Sequence, residues 1–383
     1  MNNKNKIGII LSSDVREFGG GERYILELYK KLKNFDITIL SCNKNVNTHR
    51  LKYWQFRKLK KIEFYKAFRI PILNENMLLT VSGIKMLMNL KRFDVIYSLD
   101  QSIFTMMFLL FIQRVYHKKV ILGMHAEGFL RKVPLEDTIL KRCLFPLYLN
   151  INRLIAYNIQ NIHVLNISQK ETLLSTGYKG NIYYIPNFLY WKTKNKKFKP
   201  TDSFYALFVG RMDTYGKGID LLKHIIYFTI KNESSIKFLI VGSGNSERTL
   251  DILQQKYKKN IELFGFVSDT KLIKLYNKAN LFLLPSRTET FSLVTLEAQC
   301  FGLPVISFDI PGPQNIITEK IQGELIPPYK TREFSNAIIQ FYKKWKKDRV
   351  KYAERKYKVS KIIVKKYDSV RIISQIKKMF NKI

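Results

Sequence analysis

The amino-acid sequence predicts an α/β protein with two doubly wound parallel sheets. Short apolar runs rich in β-branched residues alternate with segments whose apolar residues recur every three or four positions. This alternation stops at a polar, basic stretch, residues 189–200, and then begins again. Alternating strands and helices are typical of parallel sheets covered by helices, and the restart after a linker predicts two such domains.

The N-terminal domain is assigned to residues 1–188. Tyr24, Ile25, Leu28 and Leu32 follow the helical period after the first strand, and a buried helix is predicted at residues 103–112. The predicted strands of this half are Lys6–Leu11 and residues 37–40, 95–97, 120–124, 162–165 and 182–185. Their order along the chain indicates a parallel sheet with helices on both faces.

The second domain is assigned to residues 201–345, and residues 346–383 are predicted to form a basic helical tail. A helix is expected at residues 219–230, directly after the first strand of this half. The predicted strands are residues 206–209, 238–241, 261–264, 281–284 and 305–308. In open parallel sheets ligands bind beyond the carboxyl ends of the strands, so the loops after these strands are the candidates for chemistry.

Composition excludes several protein classes. The 383 residues are 46% hydrophobic, which excludes wholesale disorder. Cys42, Cys143 and Cys300 are far apart, which excludes a disulfide scaffold and a zinc knuckle. The N-terminal apolar run is too short for a signal peptide, and the longest uncharged apolar stretch, between Asp100 and Arg114, is shorter than the ~20 residues of a spanning helix. We therefore expect a cytoplasmic protein.

The net charge of +36 and the pI near 9.9 allow two explanations. The charge favours nucleic acid, an anionic membrane or anionic small molecules as partners, or it reflects a compositional bias toward Lys, Asn and Ile. Residues 50–69, which begin with Arg50 and end with Arg69, contain eight Lys or Arg, one Glu and six aromatic residues. This composition suggests an anionic membrane surface, and the alternative is a solvated basic helix packed by its aromatic side chains.

Two carboxylates follow the strand predicted at residues 281–284. Glu289 is expected in a loop and Glu297 about two turns into a helix that begins near Phe291. The free N–H groups of Phe291, Ser292 and Leu293 at the start of this helix form a potential phosphate site. A carboxylate beyond a phosphate site is suited to bind the hydroxyl pair of a ribose.

Two basic residues follow the first strand of the second half. Arg211 comes after Gly210, and Lys217 lies before Gly218 and the next predicted helix. Such cations can neutralise a leaving diphosphate without a metal ion. The chain contains no Asp-x-Asp sequence, the usual carboxylate clamp for a metal–diphosphate. We expect no metal and no cofactor.

Together these motifs resemble those of the retaining GT-B glycosyltransferases of family 4, the group 1 type. The resemblance covers residues 7 to about 330, in the family's order. The matching elements are Gly19-Gly20-Gly21-Glu22, Ile185-Pro186-Asn187, Gly210-Arg211 with Lys217-Gly218, the Glu289 and Glu297 pair, and Gly302-Leu303-Pro304-Val305-Ile306. The ordered set is far more specific than any single element. It implies two Rossmann-like domains that face a cleft, with a C-terminal helix packing back across.

The resemblance implies roles for the residues of the donor site. Arg211 and Lys217 would hold the donor diphosphate, and Glu297 would bind its ribose. Glu289 would lie by the transferred sugar, with the backbone of Phe291, Ser292 and Leu293 nearby. Gly20 would allow close approach to the phosphate, and the loop around Val267 would meet the base.

His125 follows the strand predicted at residues 120–124. The family often has a histidine there, near the acceptor or the sugar, and the alternative is a structural histidine. The chain also departs from the family pattern. Thr290 and Ser292 replace glycines, Phe188 replaces the glycine of the hinge, and residues 311–315 lack the usual acid. The side chains of Thr290 and Ser292 would narrow the sugar pocket and alter donor choice.

The resemblance implies a retaining, metal-independent hexosyltransferase. Its donor would be a UDP- or GDP-sugar and its acceptor a hydroxyl of a glycan or a lipid-linked molecule. We expect it in the cytoplasm, with a peripheral position at the inner face of the membrane. The alternatives are a non-catalytic or nucleic-acid-binding basic protein, for which no recognised module is visible, and a GT-B sugar-nucleotide epimerase.

Overall fold

Contacts along the chain form two units, each built on its own parallel sheet. The computed structural model describes residues 5–11, 13, 20–42, 61–66, 68–70, 75–77, 80–125, 139–191 and 198–383. The first unit comprises Met1–Asn187 with Val370–Ile383, and the second comprises Phe188–Ser369. This division assigns the predicted linker to the second unit and divides the predicted tail between the two.

The first unit contains a seven-stranded sheet and a separate antiparallel pair, β4 and β5. The strands are β1 (Lys6–Leu11), β2 (Asp36–Cys42), β3 (Ile62–Tyr65), β4 (Phe68–Ile70), β5 (Glu75–Met77), β6 (Val95–Ser98), β7 (Lys119–Met124), β8 (Asn161–Val164) and β9 (Asn181–Tyr184). The order in the large sheet is β3-β2-β1-β6-β7-β8-β9, and all its neighbours are parallel. The central strands are apolar runs buried on both faces, as helix-covered parallel sheets require.

Within the described residues of the first unit, five α-helices connect the strands. They are α1 (Gly20–Lys31), α2 (Val81–Met88), α3 (Ile103–Val115), α4 (Ile139–Ala156) and α5 (Ile167–Ser175). Polar side chains cap the first turns of α2 and α5: Thr80 accepts from the N–H of Gly83, and Asn166 from that of Gln169. Just before α3, the Asp100 carboxylate accepts from the N–H of Ser102 at 3.0 Å.

The second unit contains a six-stranded parallel sheet. Its strands are β10 (Tyr205–Val209), β11 (Lys237–Val241), β12 (Ile261–Leu263), β13 (Leu281–Leu284), β14 (Val305–Phe308) and β15 (Gly323–Ile326). Their order is β12-β11-β10-β13-β14-β15. The remaining helices are α6 (Ile219–Asn232), α7 (Glu247–Lys256), α8 (Asp269–Lys278), α9 (Leu293–Cys300), α10 (Pro311–Gln314), α11 (Thr331–Lys347), α12 (Arg349–Lys366) and α13 (Ser369–Lys382).

Aromatic packing explains where the two units begin and end. Trp191, at the start of the predicted linker, packs edge-on against Tyr276 and Phe301 and so belongs to the second unit. In α13, Phe380 packs edge-on against Tyr97 of the first unit, with 5.8 Å between ring centroids. The last helix therefore returns to the N-terminal sheet, while α11 and α12 stay with the second.

Every predicted strand is present, with ends shifted by at most two residues, whereas the edge strands β3 and β15 were not predicted. Their short runs of mixed polarity lack the continuous apolar character of central strands. β3 lies within residues 50–69, so the helical alternative is wrong for residues 62–65. Residues 50–60 and 67 of that segment lie outside the described residues. Across the described ranges, no helix is both long and apolar enough to cross a membrane.

Candidate functional site

The second sheet reverses its direction of growth between β10 and β13. From β10 the chain continues to β11 on one side, and from β13 it continues to β14 on the other. Loops that leave adjacent strands in opposite directions open a crevice at the carboxyl edge of the sheet, which is the usual ligand site of such folds. The two loops that meet here, residues 210–218 and 285–292, contain most of the predicted donor-site residues.

Lys217 and Glu289 form an ion pair that joins these two loops. The Nζ atom of Lys217 lies 2.5 Å from Oε1 of Glu289, and Ser286 Oγ donates to the same oxygen at 2.9 Å. The side chains are 18% and 10% exposed. Two ammonium hydrogens of Lys217 and the second oxygen of Glu289 have no partner among the described residues, so this pair can still bind a ligand.

Arg287 locks the two loops together. Its guanidinium binds both carboxylate oxygens of Asp220 at 2.8 and 2.6 Å and also donates to the carbonyl of Thr214. Its N–H donates to the carbonyl of Gly216 at 2.9 Å. Partial burial alone would raise the pKa of Asp220, but the hydrogen bonds from Arg287 lower it. Sequence analysis missed this clamp, because its partners are 67 residues apart and match no local motif.

The start of α9 presents unpaired backbone N–H groups. The helix begins at Leu293, two residues later than predicted, and Ser292 precedes it in a left-handed conformation with φ +68° and ψ +71°. Glycine favours this conformation, which explains why the family uses glycine at this position. The N–H groups of residues 291–294 donate to no group in the described part of the chain. They therefore form a cradle suited to an anion.

Glu297 lies at the start of the second turn of α9, because the helix begins later than predicted. Its side chain is buried, since the residue is only 6% exposed. Tyr276 Oη donates to its carboxylate at 3.3 Å. Glu297 is one of the residues that line a narrow crevice, and the other lining residues are mostly apolar or aromatic. These wall residues are Phe188, Leu189, Tyr190, Trp191, Leu293, Leu296 and Cys300. The arrangement places one acid on the wall of an otherwise apolar slot.

The remaining predicted residues are placed less centrally. The side chain of Arg211 is 79% exposed, and its Nε lies 3.6 Å from Asp213. Val267 packs partly buried against the core of the second sheet, and the side chain of Phe291 is buried edge-on to Tyr367. Gly20 is the first residue of α1 rather than part of a loop, and Gly19 lies outside the described residues. The structure brings Lys217, Glu289 and the α9 N–H groups to one sheet edge.

His125 belongs to the first unit and ends a buried chain of three aromatic side chains. Tyr97 Oη lies 2.8 Å from His125 Nε2 and 2.8 Å from His163 Nδ1. His163 Nε2 in turn lies 2.8 Å from the carbonyl oxygen of Ile185. Sequence analysis missed Tyr97 and His163, because each lies within an apolar strand that reads as core.

The hydrogen-bond partners fix the tautomers of both histidines. A carbonyl only accepts, so His163 carries its proton on Nε2 and accepts from Tyr97 at Nδ1. Tyr97 also shares a hydrogen bond with Tyr24. With its one hydrogen on His163, Tyr97 accepts from the Nε2–H of His125. Burial lowers the pKa of His163 to about 4, and burial together with the nearby His163 lowers the pKa of His125 well below its usual range. His125 is thus neutral, with its Nδ1 lone pair unused by any described residue.

A resident metal ion would need several converging ligands. In the described ranges, no three or more His, Cys, Asp or Glu side chains come together in a way that could hold one. The candidate site consists instead of cations, carboxylates and backbone N–H groups.

Comparison with known proteins shows what the second unit is similar to. Residues 190–359 match the family described as Glycosyl transferases group 1. The chain is 26% identical over 229 residues to the poly(ribitol-phosphate) alpha-N-acetylglucosaminyltransferase of Staphylococcus aureus, covering 59% of this chain and 45% of that protein. It is 25% identical over 230 residues to one component of the phosphatidylinositol N-acetylglucosaminyltransferase of Arabidopsis thaliana, covering 56% of this chain and 50% of that protein.

Comparison with solved structures gives the fold of the whole chain. HepE from Anabaena in complex with UDP and glucose matches with a TM-score of 0.73 at 15% identity, over 99% of this chain and 100% of that one. The predicted α/β class and GT-B fold are confirmed, as is the resemblance to group 1 glycosyltransferases. In sequence, the chain spans about a third to a half of the length of the curated relatives it matches.

Proposed function

We propose that the chain transfers a hexose-type sugar from a nucleotide-sugar donor to an acceptor hydroxyl, because residues 190–359 match the group 1 glycosyltransferases and the chain has a GT-B fold. One observation carries the proposal. The Lys217–Glu289 pair, with spare hydrogen-bonding capacity on both partners, lies at the sheet edge where α9 presents its unpaired N–H groups. Positive charge and convergent N–H donors suit a diphosphate, and the free carboxylate oxygen suits a sugar hydroxyl.

We propose the following division of labour at this edge. Two ammonium hydrogens of Lys217 and the N–H groups at the start of α9 hold the diphosphate, and exposed Arg211 adds positive charge. The second carboxylate oxygen of Glu289 accepts a hydrogen bond from a hydroxyl of the transferred sugar. Glu297 binds the ribose. UDP is the first nucleotide to test, because several structural relatives were solved with it, and GDP is the alternative.

The transfer breaks the bond between the anomeric carbon and the diphosphate oxygen and forms one to the acceptor oxygen. The acceptor proton passes to the departing phosphate. Developing negative charge on that phosphate strengthens its bonds to Lys217 and to the α9 N–H groups in the transition state, which lowers the barrier. We propose same-face displacement with retention, and no role for a metal ion. The acceptor would be a glycan or lipid-linked hydroxyl, as the relatives' names suggest.

The two halves of the proposed donor site can be tested separately by calorimetric titration. Glu297→Gln is expected to weaken UDP binding about tenfold or more, because a charge-assisted pair of bonds to the ribose is lost. The same variant should bind inorganic pyrophosphate as well as the wild type does. Lys217→Met should weaken the binding of both UDP and inorganic pyrophosphate. Equal UDP affinity in wild type and Glu297→Gln would contradict the assignment of Glu297.

We propose that His125 accepts a hydrogen bond from a substrate hydroxyl through Nδ1. Long-range ¹H–¹⁵N spectra of histidine-labelled protein, which has only five histidines, report the tautomer directly. We expect His125 to be protonated on Nε2 alone at neutral pH, because burial lowers its pKa and keeps the ring neutral there. A proton on Nδ1 of His125 would contradict this role.

The role of Tyr97 in fixing the tautomer of His125 can be tested with a matched control. Tyr97→Phe removes the acceptor for His125 Nε2 and should allow a mixture of tautomers, with kcat about tenfold lower. Tyr178→Phe removes a buried hydroxyl of the same unit that donates to the Ile159 carbonyl and contacts neither histidine. It should leave the His125 spectrum and kcat unchanged, which separates positioning from a general loss of packing.

A further inference from the structure

Six large apolar side chains of the first unit are exposed on two helices. Their exposed fractions run from 41% to 70%, and on each helix they recur three or four residues apart, so each set forms one stripe. They are Met107, Phe111 and Val115 on α3 and Leu147, Ile151 and Leu154 on α4. We call these six residues the α3–α4 surface.

The two stripes lie on the same side of the sheet. β6, β7 and β8 are adjacent, parallel and consecutive in the chain, and right-handed crossovers place the connecting helices α3 and α4 on one face. The helices touch at their C-terminal ends, where Arg114 Nη2 donates to the Asn158 side chain at 2.7 Å. Helices that neighbour each other on one face present their outward stripes to the same region of solvent.

Exposed apolar residues are arranged differently in the second unit. Its exposed large apolar residues, within the described ranges, are Tyr215, Ile252, Phe266, Tyr329 and Val350. Three are in loops and two are on different helices, so they form no stripe. Single exposed apolar residues are ordinary on protein surfaces, whereas a contiguous set on neighbouring helices indicates a binding surface.

The charges on the two helices of the α3–α4 surface are basic, since neither α3 nor α4 contains an Asp or Glu. Residues 103–185 as a whole contain ten Lys or Arg and four acidic residues, of which Glu127, Glu136 and Asp137 lie outside the described residues and Glu171 lies in α5. Exposed Arg114 lies beside Val115, and Lys118 and Lys119 follow shortly after. A second copy of this chain on the same surface would bring like charges together, whereas a layer of lipid phosphates would neutralise them.

We infer that the α3–α4 surface docks on an anionic lipid bilayer. The two helices would lie in the plane of the interface, with Met107, Phe111 and Leu154 entering the acyl boundary and Arg114 at the level of the phosphates. The inference is independent of the proposed activity, because it uses no residue of the donor site. It also differs from the membrane role suggested for residues 50–69.

Vesicle co-sedimentation of the full chain tests the inference. Vesicles of phosphatidylcholine with one-third phosphatidylglycerol should bind the protein at least about tenfold more tightly than phosphatidylcholine alone, and added salt should reduce that advantage. The double variant Phe111→Ser with Leu154→Ser should lower binding to the anionic vesicles about tenfold. Both residues are exposed, so the unfolding temperature should not change.

The matched control is Ile252→Ser with Val350→Ser, two residues of the second unit that are 57% and 62% exposed. This variant should bind anionic vesicles like the wild type. Equal loss in both double variants, or no binding to anionic vesicles, would overturn the inference. A concentration-dependent dimer that disappears only in the Phe111→Ser with Leu154→Ser variant would assign the surface to a second copy of the chain instead.

Discussion

Replacing Lys217 with methionine is expected to lower kcat/KM for glycosyl transfer by about 10²–10³-fold, measured as nucleotide release from the donor. Lys217 supplies the cation nearest the proposed leaving group, and its ammonium keeps two hydrogens for the phosphate while one binds Glu289. Charge that develops only in the transition state makes such a contact most valuable there, so the loss should appear largely in kcat.

The same substitution also affects stability, and a second variant separates the two effects. Without Lys217 the Glu289 carboxylate, only 10% exposed, keeps just Ser286 as a partner, which costs about 1–3 kcal/mol. Lys217→Met with Glu289→Gln removes the buried unpaired charge. It should recover most of the stability and none of the activity.

An exposed ion pair in the same unit provides the matched control for Lys217. Lys278 lies 3.4 Å from Glu262, and both side chains are at least 40% exposed. Lys278→Met should change neither stability nor turnover appreciably, because exposed pairs contribute little. Turnover of Lys217→Met within twofold of the wild type would contradict the proposed role of Lys217.

Replacing Gly218 with alanine is expected to destabilise the second unit by about 3 kcal/mol, or to lower its unfolding temperature by about 6–12 °C. Gly218 has φ +67°, where a side chain is strained, and a Cβ atom there would lie 2.2 Å from the carbonyl oxygen of Pro285. Backbone would have to move to relieve that contact. Because Pro285 precedes the Ser286–Glu289 loop, activity should fall as well.

The variant Gly265→Ala serves as a control that distinguishes backbone strain at Gly218 from the steric contact with Pro285. Its φ of +57° is similar, but a Cβ atom there would have nothing within 4 Å. Gly265→Ala should therefore cost about 1 kcal/mol, the price of the left-handed conformation alone. Equal unfolding temperatures for the two variants would show that the Pro285 contact does not constrain the loops. Thermal unfolding followed by tryptophan fluorescence and by far-ultraviolet circular dichroism measures both.

The central strands were predictable because a parallel sheet covered by helices demands continuous apolar runs, such as Leu281–Leu284. Residues 285–297 could be predicted as a candidate ligand site because they follow such a strand. The predicted start of α9 was wrong by two residues. Ser292 has a left-handed backbone, so the helix begins only at Leu293, and no glycine at that position indicates this conformation in the sequence. Local sequence specifies elements better than it specifies their ends.

The sequence could not predict the side-chain contacts between residues that are far apart in the chain. Lys217 and Glu289 were both predicted as donor-site residues, but their direct pairing across 72 positions was not. The bonds between Arg287 and Asp220 and between Tyr97 and His163 depend on which strands become neighbours, and that follows only from the sheet order. The predicted roles of all the site residues, Lys217, Glu289, Glu297 and His125 included, stay predictions.

The most direct test of the central claim is nucleotide release by the purified chain from UDP-, GDP- and ADP-sugars, with and without an added lipid extract. We expect release from one nucleotide class, dependent on an acceptor in the extract and abolished in Lys217→Met. Donor turnover without any acceptor would point to hydrolysis or epimerisation. No release from any donor, together with no calorimetric binding of UDP or GDP, would contradict the assignment as a nucleotide-sugar-dependent glycosyltransferase.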